Sequence, residues 1–480
     1  MATTLPHLAE WVQAQELQGP RMKDAPVFQR NLEETLDMRR TEHNLITLRK
    51  RHNQVDFSSN DFISLAASGM LRTAFFEELA RHPGFKLGST GSRLLDGNND
   101  YIELVEREIA AFHGAESALV VNSGFEGNCA IFSTIPRPGD AVVYDELVHA
   151  SVHEGMSRSS ALSRTSFRHN DVDSFRDTLE AVRDSQPMIE RGQRCIIIAV
   201  ETIYSMDGDV CPLAEMVDIV KELFPKGNAQ FVVDEAHSTG IVGDKGIGLV
   251  GMLGLQNDIA IRLHTFSKAL ASSGGVILSN KTVRTMLVNH ARPLFFTASP
   301  SFPTLAAIRS GYGLLKSGKT APAQQRLQDL LKLFFRTITS HPVWEAANDA
   351  GVLRVPLADD WETRPFQTQI VPVITEARHN YFLSLHLQLL NYFAFPIDPP
   401  VVPKGTSRVR LVFKATNSEE EVTGVADAIC EWAQEMLDIK KSGNAGQLPK
   451  AARTVFSFIA DTAGANGTNG TNGTNGSKGF

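Results

Sequence analysis

Cysteine is scarce in this 480-residue sequence: only Cys129, Cys195, Cys211 and Cys430 occur, without CxxC spacing. That spacing excludes a disulfide framework and a cysteine-based zinc site, and it points to a reducing compartment. No metal is expected. Long apolar runs are missing too. Stretches such as Cys195–Val200 and Gly275–Leu278 fall far short of the ~20 residues a bilayer crossing needs. An excess of positive charge is absent: 47 Lys and Arg face 54 Asp and Glu, for a net charge of −7. A nucleic-acid footprint needs a concentrated basic face, so that function class is excluded. The opening MATTLPHLAEWVQ has no basic region followed by an apolar stretch, so no secretory signal is read there and a cytoplasmic location is expected. The final Ser477-Lys478-Gly479-Phe480 does not end in a peroxisomal tripeptide.

What the chain does have is length for a large core, and alternation. Residues 1–55 are polar and helix-prone, with an Arg-, Glu- and His-rich stretch from Leu36 to Lys50, and read as an N-terminal arm or helix. Over 56–300, short β-branched and aliphatic runs alternate with helical patterns. The runs are Ser117–Val121, Ala141–Tyr144, Arg164–Arg168, Cys195–Val200, Gln230–Val233, Ile259–His264 and Gly275–Leu278. Continuous apolar strands between amphipathic helices predict a parallel sheet covered on both faces, a doubly wound α/β domain. Over 301–440 helices mix with strands, which predicts a smaller α+β domain. Residues 441–480 form a C-terminal extension ending in Asn-Gly-Thr repeats, which cannot bury apolar surface and are expected to be disordered.

The chemistry is concentrated in three places. His264-Thr265-Phe266-Ser267-Lys268 ends a predicted strand and is followed by Ser272-Ser273-Gly274-Gly275. A lysine among hydroxyl and glycine residues suits an aldehyde that carries a phosphate, with the amine forming an imine. Alone, such a lysine is an ordinary surface charge. Asp234, in Phe231-Val232-Val233-Asp234-Glu235-Ala236-His237, sits where a parallel strand presents residues to a ligand crevice. There a carboxylate could keep a pyridine nitrogen protonated, so that the ring serves as an electron sink, and His237 could bond the ring's phenolic oxygen. Asn122-Ser123-Gly124-Phe125 turns a strand into a helix, whose first amides suit a phosphate. His149 follows the next strand and could stack on the ring; packed on neighbours, it would be a helix-start histidine.

In their joint order these segments resemble the α-oxoamine synthase family of fold-type I pyridoxal-phosphate enzymes, from about Asp56 to Trp432. Further marks are Phe57-Ser58-Ser59-Asn60-Asp61-Phe62, Gly88-Ser89-Thr90-Gly91-Ser92-Arg93, His169-Asn170-Asp171, Glu201 with Tyr204–Asp209, and Pro403–Leu411. The resemblance implies a cofactor, pyridoxal 5′-phosphate, and a homodimer. The reaction it implies is decarboxylative condensation of alanine, glycine or serine with an acyl-CoA or carrier-bound acyl thioester. It implies a catalytic set of Lys268 (imine and proton shuttle), Asp234 (pyridine nitrogen), His237 (phenolic oxygen) and His149 (ring stacking). Gly124, Phe125 and Thr265 would hold the phosphate, Ser205 would line the pocket, and Thr297 would reach the phosphate of the neighbouring subunit. Asn60 and Arg410 would address the amino-acid carboxylate. Arg408 is the second candidate for that role, expected to point to the other face. Phe62 stands where most members have tyrosine, and Ser267 where glycine or threonine is common. An N-terminal arginine contacts the acyl donor in several members, and Arg39, Arg40 and Arg49 all qualify.

Other readings compete. Gly246-Ile247-Gly248-Leu249-Val250-Gly251 matches the dinucleotide fingerprint but lacks the flanking strand and the acidic residue downstream. Another fold-type I enzyme, an aminotransferase or lyase, would share Lys268 and Asp234 without needing the Asn60 and Gly405–Leu411 segments. A catalytically dead partner subunit would have no use for Lys268, Asp234 and His237 together.

Overall fold

The structure is a computed structural model and describes residues 6–42, 44–48, 53–444 and 446–457. Arg49 and the repeats from Ala463 onward lie outside the described residues. Among the described residues the N-terminal segment holds two α-helices, α1 (Pro6–Ala14) and α2 (Val27–Thr41), with a 3-10 turn at Gly19–Arg21 between them. The second begins nine residues before the stretch that charge patterning singled out. Pro26 precedes its first turn, and Arg39 and Arg40 lie in its last, where cations complement the helix dipole.

All seven predicted apolar runs form strands of one sheet. They are β1 (Ser117–Val121), β2 (Ala141–Asp145), β3 (Ser163–Phe167), β4 (Ile196–Glu201), β5 (Ala229–Asp234), β6 (Ile261–Thr265) and β7 (Gly275–Ser279). Their order across the sheet is β1-β7-β6-β5-β4-β2-β3. Pairing is parallel from β3 through β6, while β7 runs antiparallel to both β6 and β1, so the sheet is mixed rather than wholly parallel. Strands β1, β4, β6 and β7 are buried along their whole length, the physical reason they read as unbroken apolar runs. A consequence follows for function. The carboxyl ends of β1, β2, β4, β5 and β6 all open on one side, and helices α3 (Gly124–Thr134) and α4 (Ala150–Ser157) start there.

The later part of the chain builds a second, four-stranded sheet from β8 (Leu353–Arg354), β9 (Ile370–Thr375), β10 (Phe395–Ile397) and β11 (Arg408–Val412), in the order β10-β11-β9-β8. It is antiparallel throughout. Helix α5 (His379–Leu389) lies close to it, and α6 (Glu419–Lys441) packs on α5 and on the helix Ala321–Thr339. Ser418 opens α6 with a capping box, and Trp432 is fully buried on its inner side. Burying such a side chain contributes about 1.5–3 kcal/mol. Among the described residues no helix is long and apolar enough to cross a membrane.

Candidate active site

Asp234 ends β5 and is buried. One carboxylate oxygen accepts from the Ala236 amide (2.9 Å) and the other from Asn128 Nδ2 (2.8 Å). Asn128 also donates to Ser151 Oγ (3.0 Å), and Ser151 Oγ lies 2.7 Å from His149 Nδ1. Asp234, Asn128, Ser151 and His149 therefore form one polar chain across three strand ends. His149 caps α4, accepting from the Ser151 amide, and its own amide donates to Glu201 (2.5 Å). Its ring faces solvent, edge-on to Phe125 at 6.2 Å. Glu201 pairs in register with Asp234 on the neighbouring strand. Burial, then the Asp234 charge, pushes the Glu201 carboxyl well above its ordinary value. Two carboxylates side by side at strand ends hold one negative charge more readily than two.

Lys268 lies just past β6, with Nζ 2.7 Å from His237 Nε2. Burial lowers the lysine to about 8, with Asp234 and Glu201 opposing the shift. His237 is buried, and burial holds it well below its ordinary value, so it is a neutral imidazole. Its carbonyl takes a hydrogen bond from Gln369 Nε2 (2.8 Å), which ties the turn to the second sheet. Phe62 is fully buried, with its ring centroid 5.9 Å from that of His237.

Ser123 caps α3 through Oγ, leaving the amides of Gly124 and Phe125 at the helix start without partners inside the helix. A Cβ on Gly124 would collide with the Thr265 hydroxyl, so glycine is what allows Thr265 to close against this turn. The hydroxyl of Thr297 bonds Glu126 in the same chain, and Asn122 Nδ2 donates to the Ala298 carbonyl (3.0 Å).

Of the two residues expected at the substrate carboxylate, Arg410 lies on β11 of the second sheet and Asn60 on a loop near the start of the described body. Arg410 Nε donates to the Ser205 carbonyl (2.6 Å), and Nη2 lies 3.4 Å from Asn60 Oδ1. Burial lowers Arg410 to about 10. The expectation that Arg408 points to the other face is wrong. Both arginines reach the loop Tyr204–Asp209, because residues two apart on a strand share a face. Arg408 is fully buried and engaged there by Asp207 (2.5 Å) and the Met206 carbonyl (3.0 Å). Arg410 is the one left facing the cleft. Of the N-terminal arginines, Arg40 is buried against Glu33 (2.6 Å) and Asp37 (2.5 Å), whereas Arg39 lines a groove along β10.

Motif reading assigned no role to Asn128, Ser151 or His169. His169 bridges Asp145 (2.9 Å) and Asp209 (2.7 Å), which raise it to about 10 against the opposing effect of burial. It thereby pins the loop that carries Ser205. Asn128 is signalled in sequence only by a polar side chain four residues after Gly124, on the sheet-facing side of α3. The GxGxxG string serves packing. Gly248 lies against the Glu235 carboxylate, which accepts from Ser238 Oγ (2.9 Å) and the Val250 amide (3.2 Å).

Pyridoxal phosphate fits what is present. The buried His237 Nδ1 and Asn128 Oδ1 have no partner within the described residues. A pinned carboxylate, a lysine lowered towards neutrality and a helix start closed by a threonine hydroxyl match a cationic ring nitrogen, an aldehyde and a phosphate.

Comparison with known proteins agrees. Residues 52–429 match the family model for aminotransferase class I and II. The chain is 52% identical to aminoacyl transferase sphA of Aspergillus fumigatus, over 94% of this chain and 97% of that one. It is 43% identical to 8-amino-7-oxononanoate synthase of Emericella nidulans, over 80% of this chain and 90% of the relative. The fold matches serine palmitoyltransferase of Sphingomonas wittichii with a TM-score of 0.66 at 24% identity, covering 81% of this chain and 89% of that one. With these relatives and this site, the chain belongs to the aminotransferase class I and II family and, within it, to the α-oxoamine synthases, pyridoxal-phosphate-dependent acyltransferases that condense an amino acid with an acyl thioester and release carbon dioxide.

Proposed function

We propose that this cleft joins a small amino acid (alanine, glycine or serine) to the acyl group of a CoA or carrier-bound thioester, for biotin-type or specialised biosynthesis. The observation that carries this reading is the convergence of Lys268, the pinned Asp234 and Arg410 on one cleft. Bound there, the cofactor supplies an electron sink for negative charge at the amino acid's Cα. Asp234, held by Asn128 and the Ala236 amide, would present its carboxylate to the ring nitrogen. His237, beside the Lys268 amine, would serve the phenolic oxygen, and His149 would stack on the ring. Gly124 and Phe125 through their amides, and Thr265 through its hydroxyl, hold the phosphate. Ser205 closes the pocket wall.

Arg410 and Asn60 anchor the substrate carboxylate. Lys268 takes the proton from Cα. The new carbon–carbon bond forms at the thioester carbonyl and the thiolate leaves. After carbon dioxide is lost, Lys268 returns a proton to Cα. A lysine lowered to about 8 can do both at neutral pH. Arg39, on the groove wall, is the N-terminal arginine that meets the acyl donor; Arg40 is already neutralised by its two carboxylates.

The enzyme works as a homodimer in the cytoplasm. Support for the dimer is the exposure of large apolar side chains, among them Leu87, Leu95, Phe296 and, at the phosphate turn, Phe125. Thr297 follows Phe296 in sequence, and its role at the neighbouring subunit's phosphate requires its hydroxyl to leave Glu126. The test is a panel of amino acids against acyl-CoA thioesters, scored by thiol release with the cofactor-loaded protein. Release that requires both substrates supports the reading. Thiol release without amino acid, or amino-group transfer in its place, overturns it.

A further inference from the structure

We propose that Ser151 is a positioning residue whose hydroxyl locks the His149 imidazole in one neutral tautomer, with its proton on Nε2. The role rests on the proposed place of His149 over the cofactor ring, and adds what fixes that imidazole. The two ends of the polar chain set the direction of every hydrogen in it. At one end the Asp234 carboxylate offers acceptors, so Asn128 faces it with the amide nitrogen, at 2.8 Å. The second hydrogen of that nitrogen goes to Ser151 Oγ, at 3.0 Å. Ser151 Oγ accepts from Asn128 and keeps its own hydrogen for His149 Nδ1, at 2.7 Å. At the other end the main-chain amide of Ser151, which can only donate, meets the same Nδ1 at 3.2 Å. Two donors aimed at one ring nitrogen require a lone pair there and exclude a proton. The single ring hydrogen therefore sits on Nε2, at the far edge of a ring exposed to solvent.

Packing holds this geometry. Helices α3 and α4 meet closely at Gly155, where a Cβ would lie 2.8 Å from the Phe132 Cβ and 2.9 Å from the Asn128 carbonyl oxygen. Gly155 stands one turn after Ser151, on the same side of α4, so the close approach brings Ser151 against Asn128. Both side chains are buried, where a polar group that loses its partner is costly. The charged groups around the ring divide. Burial, the largest influence, disfavours a second proton on His149; Asp234 opposes that effect and Lys268 adds to it. Glu201 accepts the main-chain amide of His149, and the neighbouring imidazole of His237 is itself held neutral by burial. The lock has a use at the site. A cationic His149 would stand against a cofactor ring whose nitrogen Asp234 keeps protonated, and two positive charges in contact repel. A neutral imidazole stacks without that penalty and keeps one N–H donor at a fixed edge.

The test reads the ring nitrogens of His149 by NMR in the full-length, cofactor-free protein with isotopically labelled histidine, using His149→Gln to assign the signals. In the wild type, Nε2 should carry the proton and Nδ1 should stay bare from about pH 8 down to about pH 6. In Ser151→Ala only the main-chain amide still meets Nδ1, and His149 should begin to take up a second proton within that range. With the cofactor bound, the kcat of Ser151→Ala should fall about threefold to tenfold, the span of one hydrogen bond. The loss should be larger at pH 6 than at pH 8, with a melting temperature near that of the wild type. A merely structural role would lower stability and leave the shape of the pH profile unchanged. A proton on Nδ1 of the wild type, or a mixture of tautomers, overturns the lock whatever the variant does. So does a Ser151→Ala protein whose His149 signals and pH profile match those of the wild type. The spectra need neither cofactor nor substrate, so they separate this role from the reaction. A locked ring in a protein that releases no thiol upholds the lock while the condensation reading fails, and thiol release with an unlocked ring does the reverse.

Discussion

The floor of the cleft and the groove along β10 are built by different means. The floor comes from loops leaving five strands of one sheet, and its key side chains are tied by short polar contacts: Asp234 to Asn128, Lys268 to His237, His169 to two carboxylates. The groove comes from an edge strand, the segment 44–47 and the ends of the chain. Its wall is held by reciprocal bonds between Gln15 and the Leu45 backbone (3.0 and 3.2 Å) and by a small apolar core. Polar networks in a buried floor fix atoms to within the tolerance of bond-making chemistry, because each unpaired group there is costly. Apolar packing at an edge fixes shape only, and shape can vary without disturbing the chemistry. On the reading proposed above, the floor carries the reaction type, and Arg39 on the groove wall is the residue that meets the donor.

That division can be broken at several points. Lys268→Ala should have the largest effect, a loss of roughly 10⁴-fold or more in turnover, together with loss of the borohydride-sensitive absorbance band formed with the cofactor. A variant that keeps the band would overturn the assignment of the imine to this residue. Asp234→Asn should lower kcat by about 10²–10³-fold with little change in either KM, since it removes charge stabilisation needed at the reacting step. Asn128→Ala should move kcat the same way by about tenfold, through a carboxylate left half-held.

The two arginines of β11 provide a sharper contrast. Arg410→Ala should raise the amino-acid KM by about 10–100-fold at near-native melting temperature. Arg408→Ala should instead lower stability by about 3–5 kcal/mol, because it leaves Asp207 without its buried partner. Thermal denaturation beside steady-state kinetics separates them, and the opposite pattern would exchange their roles.

Reconstitution of cofactor-free enzyme should speed up about tenfold between pH 7 and pH 9, as the Lys268 amine loses its proton near 8. Stability carries the same signature. A solvated lysine keeps its proton to about 10.4, so between about 8 and that value the unfolded chain binds more protons than the folded one, and the cofactor-free protein gains stability as pH rises. A flat profile would place the imine elsewhere. The smallest effect belongs to the groove: Arg39→Ala should raise the acyl-CoA KM about fivefold, by loss of one charge-assisted contact at a partly solvated site, and leave the amino-acid KM unchanged.

Much of this was legible in the amino-acid order, and the illegible part has a common cause. Strand runs were readable because burial on both sides demands unbroken apolar residues, as in Ser117–Val121 and Ile196–Glu201. The antiparallel course of β7 was not, because Gly275–Ser279 is as apolar as its parallel neighbours and direction leaves no mark on composition. Lys268, Asp234 and Gly124 were visible because each sits at a strand end within a short string whose chemistry is local. Asn128, Ser151 and His169 act through partners up to 106 residues away, and nothing in their own strings names those partners.

The N-terminal arginines show the same limit. In sequence, Arg39 and Arg40 are neighbours with equal claims. Only the helix α2, which turns one towards Glu33 and Asp37 and the other towards the groove, separates them. The amino-acid order by itself determined the strands and the turn chemistry, since those depend on side chains close in the chain, and it carried the reaction class only through the resemblance of its ordered segments to the α-oxoamine synthases. Which groups are pinned and which arginine faces the cleft were decided by the tertiary structure. Those properties depend on which distant segments share a face, and a mixed sheet brings together, from strands running the same way, five strand ends that the chain keeps far apart.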